Sequence, residues 1–165
     1  MEGYIIQKCS SIRPWSPGEL GMLQELSNSS LHSLTRRNMR AYQRGNKLWV
    51  ARETERKTIV GMASLTLVRP LGQAQEAFGI LHSVKLSRAF DDDPSLQKKL
   101  RRMLIGEIID YAAKKKLQYI QTASAPGEKK ASDLYPGVGF VQVAHSSNAI
   151  HGTHFHHLYL FAKVA

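Results

Sequence analysis

The side chains of this chain that can do chemistry fall into three groups. His82 stands among Phe78, Ile80, Val84 and Leu86, apolar residues at even positions. A neutral imidazole accepts a proton near pH 7, so His82 is a candidate general base. A lone histidine on an apolar strand face equally serves as a hydrogen-bonded core residue, and its neighbour Ser83 has no stronger claim. The second group is His145, His151, His154, His156 and His157 near the end of the chain. His154 and His156 would share one strand face and so one metal. No cysteine or nearby carboxylate accompanies them, so a polar or substrate-facing strand is expected and no metal is assigned. The third group is Asp91, Asp92 and Asp93, just ahead of a long helical pattern. Carboxylates there suit a helix N-terminus, with Asp93 or Ser95 as its cap, better than a metal site.

Positioning these groups takes a series of elements. Residues 4–8 read as a short strand. Ser16-Pro17-Gly18-Glu19 is a helix start, followed by the stripe Leu20, Leu23 and Leu26. A basic helix is expected over 31–44, ending near Gly45. Strands over 47–53 and 58–68 flank a polar hairpin turn at 54–57. Period-two alternation predicts a strand over 78–86. A helix from about 95 to 116 carries Leu96, Leu100, Met103, Leu104, Ile108 and Tyr111 at three- and four-residue spacing, the stripe of a helix packed on a sheet. Lys114, Lys115 and Lys116 fall at its C-terminal end, where the helix dipole favours cations. With a strand over 117–122, the unit 78–122 becomes a right-handed βαβ crossover with parallel strands. A short helix over 127–135 and strands near 140–145 and 154–163 follow. The alternation implies an α/β architecture, a mixed sheet of six or seven strands flanked by helices. Trp15 and Trp49 are read as packing residues.

At 165 residues the chain suits one compact domain, 1–165, and its 42% hydrophobic and 22% charged content is that of a globular protein. No apolar run approaches the ~20 residues of a membrane helix. The start, MEGYIIQKCS, predicts no signal peptide. Cys9 is the single cysteine, which excludes an intrachain disulfide and fits a reducing, cytoplasmic setting. The net charge of +10, from 23 Lys and Arg against 13 Asp and Glu, favours anionic partners: phosphates, nucleic acid or acidic proteins. A basic protein without a dedicated anion site fits equally well. Arg36, Arg37, Arg40 and Arg44 give the 31–44 helix a basic face, with Tyr42 as its one aromatic. RNA-binding surfaces interleave several stacking aromatics, so a solvated face is the expectation here.

The last third carries Thr122-Ala123-Ser124-Ala125-Pro126, then Ala131, then Leu134-Tyr135-Pro136-Gly137-Val138-Gly139-Phe140. This segment and the order of elements over nearly the whole chain resemble the GNAT acetyltransferase superfamily. In that family a helix bearing Ala and Leu-Tyr leads to a Gly-Phe at the next strand. The resemblance implies an N-acetyltransferase that moves the acetyl group of acetyl-CoA to an amine acceptor. It implies that the strand before the long helix splays from its parallel neighbour. Val84 and Leu86 would then hold the pantetheine arm of coenzyme A like an extra strand. It makes Tyr135 the general acid beside the thioester sulfur, although a tyrosine there also closes the core beside Phe140. It sets His82 where the family often has a glutamate base.

One stretch departs from the family. Its pyrophosphate loop typically reads Arg or Gln, two residues, Gly, one residue, then Gly or Ala. The matching Asp93-Pro94-Ser95-Leu96-Gln97-Lys98-Lys99-Leu100-Arg101 has no glycine to allow close backbone approach. The three aspartates would also repel a pyrophosphate at short range. Two readings follow. In one, the helix N-terminus still takes phosphate, with Lys98, Lys99, Arg101 or Arg102 supplying charge. In the other, cofactor binding is lost and an inactive GNAT-fold protein binds a partner, protein or nucleic acid, through its basic surface. The acceptor is not identified; a polyamine needs an acidic pocket, and few carboxylates cluster beyond Asp91 to Asp93.

Overall fold

The computed structural model describes residues 3–9, 15–27, 35–69, 77–82, 84–124, 134–146 and 156–162. The strands are β1 (Tyr4–Cys9), β2 (Asn46–Glu53), β3 (Ile59–Val68), β4 (Phe78–Leu81), β5 (Lys85–Leu86), β6 (Tyr119–Ser124), β7 (Val141–Ser146) and β8 (His156–Ala162). The helices are α1 (Pro17–Ser27), α2 (Arg36–Gly45) and α3 (Pro94–Lys114), with 3-10 turns at Arg88–Phe90 and Pro136–Val138. One mixed sheet runs in the order β1-β2-β3-β4-β6-β8-β7, with β5 on β3 in line with β4. Of these neighbours β4 and β6 are parallel and the others antiparallel. The α/β mixed sheet and its parallel crossover are thus as expected, but among the described residues the sheet has eight strands rather than six or seven, because the strand expected over 78–86 is broken into β4 and β5. Most of the short helix expected over 127–135, as well as Ser83 and His154, lies outside the described residues.

Local chemistry sets the helix starts. Ser16 and Glu19 form a reciprocal capping box: Glu19 N donates to Ser16 Oγ at 3.2 Å and Ser16 N to Glu19 Oε2 at 3.0 Å. Glu19 also pairs with Arg52 at 2.7 Å, which fastens α1 to β2. At α3, Leu96 N donates to the Asp93 side chain and Pro94 occupies the first turn. Asp93, not Ser95, is therefore the cap, and the helix starts one residue earlier than its apolar pattern.

Alternation along β2 divides the core into two layers. Trp49 and Ala51 pack with Leu104, Ile105, Ile108 and Ala112 of α3. Leu48 and Val50 pack on the other face with Leu20, Leu23 and Leu26 of α1 and Met39 of α2. Both tryptophans are packing residues, each 1% exposed. The buried stripe of α3 runs through Gln97, Leu100, Leu104, Ile105, Ile108 and Ala112, leaving Leu96, Met103 and Tyr111 half-buried at its border.

The β4 line behaves differently from a plain strand. β4 and β6 pair only at Gly79–Ile120 and Ile80–Gln121. Past these, β6 stays on β8 as far as Ser124. The β4 line stays on β3: His82 N donates to Ser64 O at 2.9 Å, Lys85 pairs with Met62, Leu86 with Gly61, and Ser87 N donates to Val60 O at 2.8 Å. The two parallel strands therefore part at their C-terminal ends. The register against β3 advances by one residue between Leu81 and Lys85, the mark of a bulge. Leu81 faces α3, and past the bulge Leu86 does too. Phe78, Ile80, His82, Val84 and Leu86 consequently do not form the single face that their alternation suggests.

β5 reaches β3 over a glycine. A Cβ on Gly61 would lie 2.5 Å from Leu86 Cδ2 and 3.2 Å from the Lys85 carbonyl oxygen. Gly61→Ala is expected to destabilise the protein by about 1–3 kcal/mol through overpacking. A thermal melt should show Tm lowered by about 2–10 °C. An unchanged Tm would mean that β5 does not press on β3 at this point.

Candidate functional site

A groove of about 910 Å³ opens beside β5, where the start of β3 and the β2–β3 turn meet Tyr4 of β1, α1 and α3. Residues 84–90 form one wall; Met22 and Glu25 of α1, Arg56 of the β2–β3 turn and Arg101 of α3 form the others. Val84 and Leu86 are half-buried in this wall. β5 pairs with β3 along one edge, and no strand among the described residues pairs with the other. An unpaired edge is a template for an extended chain rich in amides.

The start of α3 is closed by the chain itself. Asp93 Oδ1 accepts from Leu96 N at 2.9 Å, and its carbonyl accepts from Gln97 N at 3.0 Å. Gln97, 4% exposed, donates from Nε2 to the Phe90 carbonyl at 2.8 Å and to Asp91 Oδ1 at 3.0 Å. The Leu96 amide thus faces a carboxylate of the protein, which places a negative charge of the chain itself at the positive end of the helix dipole. Of the cations expected to assist a phosphate, Arg101 lines the groove, and its Nε is buried without a hydrogen-bond partner. Lys98 and Lys99 are exposed on α3 and lie outside the groove, and Arg102 stands beside Gly137. The sequence reading missed Gln97 and Arg56. Gln97 was legible as a polar residue one turn ahead of Leu100 and Leu104 in the buried stripe.

Tyr135 is 5% exposed, its ring tilted against Phe140 with centroids 5.5 Å apart. Thr122 Oγ1 donates to its hydroxyl at 3.4 Å. Thr122 is the first β6 residue past the last pair with β4, so this hydroxyl sits at the root of the splay, on the α3 face. The Tyr135 carbonyl accepts from Val138 N at 3.1 Å and from Phe140 N at 3.0 Å across a turn in which Gly139 has φ 94°.

His82 is exposed rather than part of an apolar face, and its Nε2 lies 2.7 Å from Thr66 Oγ1. Thr66 also bonds Asn46 Oδ1, and Tyr42 Oη donates to Ser64 Oγ at 2.6 Å. These polar residues alternate along β3 with Leu65, which packs toward α3, so they occupy the opposite face. The structure therefore places His82 and Tyr135 on opposite faces at the same open end of the sheet, not in contact. Sequence reading passed over Asn46, Ser64 and Thr66, although Ser64 and Thr66 were legible as the polar half of an alternating strand.

Elsewhere, Arg37, Arg40 and Arg44 are exposed along one side of α2, while Met39 and Gln43 are buried on the other. Among the described residues no three His, Cys, Asp or Glu side chains group to hold a metal ion. No helix among them is long and apolar enough to cross a membrane.

No protein-family model matches the chain, and no curated protein matches it in sequence. Solved structures do match. An acetyltransferase from Streptococcus agalactiae superposes with TM-score 0.69 at 16% identity, over 98% of this chain and 99% of that one. An N-acetyltransferase from Staphylococcus aureus does so with TM-score 0.66 at 17% identity, over 96% and 97%. A Salmonella typhimurium protein described as an acetyltransferase, solved with its cofactor acetyl-CoA, gives TM-score 0.69 at 15% identity, over 96% and 93%. The fold is that of the GNAT acetyltransferases.

The turn after Tyr135 generates a test. Gly139→Ala forces a left-handed conformation on an L-residue and should cost about 1–2 kcal/mol in urea unfolding. Gly137→Ala should cost less, because its methyl meets only the end of the Arg102 side chain, at 2.9 Å. Equal costs at the two positions would remove the Gly139 conformation as the cause.

Proposed function

We propose that this protein is an N-acetyltransferase that uses acetyl-CoA, acting as one domain over 1–165 in the cytoplasm. The observation that carries the reading is the parting of β4 from β6, which leaves the β5 edge unpaired beside a groove. The GNAT fold and a neighbour solved with acetyl-CoA support it. The groove fits part of that molecule well. Val84 and Leu86 offer an amide-bearing edge to the pantetheine arm, and the partnerless Nε of Arg101 calls for an anion. The start of α3 fits the pyrophosphate poorly, since Asp93 already takes its amide. Side-chain cations, Arg101 with Arg88, therefore replace backbone amides as phosphate ligands, and Lys98 and Lys99 contribute only a long-range field.

Acetyl-CoA supplies an activated acetyl group as a thioester. In the proposed reaction the acceptor's amine nitrogen bonds the acetyl carbon as the carbon–sulfur bond breaks. The imidazole of His82 takes the proton that the amine loses. Tyr135 Oη gives a proton to the departing sulfur, with Thr122 orienting the hydroxyl.

A second reading, a GNAT-fold protein without activity that binds an acidic protein or nucleic acid, is favoured by the self-capped α3 and by the Arg37, Arg40, Arg44 face. Calorimetry with acetyl-CoA at low ionic strength separates the two. Weak binding that declines with added salt is expected, with a raised Tm at saturating ligand. No heat and no stabilisation at millimolar ligand would favour the second reading.

Tyr135→Phe should lower kcat on the order of 10²-fold with little change in KM, because a positioned acid acts on the leaving group. Loss of the long hydrogen bond with Thr122 should cost the variant about 1 kcal/mol of stability. An unchanged kcat in the folded variant would take Tyr135 out of the reaction.

A further inference from the structure

Asn46 and Thr66 face each other across β2 and β3 as register partners, so their side chains share one sheet face. His82 is brought to the same face because its backbone N–H donates to Ser64 O on β3. The proton positions along this line follow from what each atom is able to do. Asn46 Nδ2 donates to the Tyr42 carbonyl at 3.0 Å. A carbonyl oxygen only accepts, so the amide nitrogen must point there and Oδ1 must be the atom against Thr66. Oδ1 also only accepts, and it lies within hydrogen-bond reach of Thr66 Oγ1. The single hydroxyl proton of Thr66 must therefore lie between them. That leaves Thr66 Oγ1 with lone pairs alone to offer His82 Nε2, 2.7 Å away. A ring nitrogen meeting an acceptor at this distance carries the proton.

We infer that Asn46 and Thr66 hold neutral His82 in its Nε2–H tautomer, so that Nδ1 is the nitrogen that takes the proton from an acceptor amine. The second half of this statement rests on the proposed acetyl transfer; the first does not. His82 is exposed, and no other side chain among the described residues bonds its ring, so Nδ1 stays open to a ligand. As the nitrogen–carbon bond forms, the amine proton is taken by the lone pair of Nδ1, and the electrons of the broken N–H bond stay on the nitrogen that becomes the amide. The imidazolium then keeps its Nε2–H bond to Thr66, now charge-assisted and stronger. The other tautomer would present an N–H to the amine and could not accept its proton. Asn46 and Thr66 are accordingly positioning residues, and His82 is the group that meets substrate.

Nitrogen-15 NMR of the neutral histidines tests the tautomer directly, with the His82 signals identified by their loss in His82→Gln. Wild type and Thr66→Ser should show a pyrrole-type Nε2 and a pyridine-type Nδ1. Thr66→Val, which has no acceptor, should show both tautomers. Asn46→Ala frees the Thr66 proton to turn toward Nε2 and should shift His82 toward Nδ1–H. This variant decides the matter if Thr66→Val does not fold. In the acetyl-transfer assay Thr66→Val should lose about tenfold in kcat at unchanged KM, part of what a positioned base contributes, and Thr66→Ser should recover it. A pyridine-type Nε2 in wild type, or a tautomer unaffected by both Thr66→Val and Asn46→Ala, overturns the relay. The expected spectrum with full activity in His82→Gln, or with no transfer by the wild type, overturns the base role of Nδ1 while upholding the tautomer.

Discussion

Two ladder pairs join β4 to β6, at Gly79–Ile120 and Ile80–Gln121, and the geometry of the open end follows from where they stop. Each strand leaves this junction bound to a different neighbour. β6 continues along β8 to Ser124, while the β4 line keeps to β3 through His82, Lys85, Leu86 and Ser87. Competition between these outer ladders holds the gap open.

The bulge between Leu81 and Lys85 decides what faces the gap. Without the extra residue His82 and Leu86 would share a side. With it, Leu86 joins the apolar layer under α3, and His82 turns to the polar side that holds Ser64 and Thr66. Tyr135 stays with the apolar layer, against Phe140 and Thr122. His82 and Tyr135 thus stand on opposite faces of the sheet, with its backbone between them.

Much of this was legible in the residues. The Ser16–Glu19 box, the Asp93 cap and the helix stripe are local patterns, set within one or two turns. The Leu-Tyr-Pro-Gly-Val-Gly-Phe run was legible through its resemblance to the GNAT segment, and the structure adds that its turn places Gly139 at a positive φ. The bulge was hidden, since Ile80 and Leu86 are apolar on either side of it and alternation reads the same with or without a slip. The Asn46–Thr66–His82 line was hidden for a different reason. Its members are far apart in sequence and meet only through the β2–β3 and β3–β4 registers. Lys98, Lys99 and Arg101 read alike in the sequence, and helix phase separates them: Arg101 follows Gln97 by one turn toward the groove, and the lysines between them are exposed.

In α3 the chain answers its own electrostatic need. A helix that relies on a bound phosphate to complete its first turn is unfinished until that ligand arrives, and its folding is coupled to loading. With Asp93 on its amide and Gln97 tied to Phe90 and Asp91, this helix is finished as soon as the polypeptide folds. Completion of the helix is thereby a matter of the chain's own side chains, settled within the segment that runs from Phe90 to Gln97.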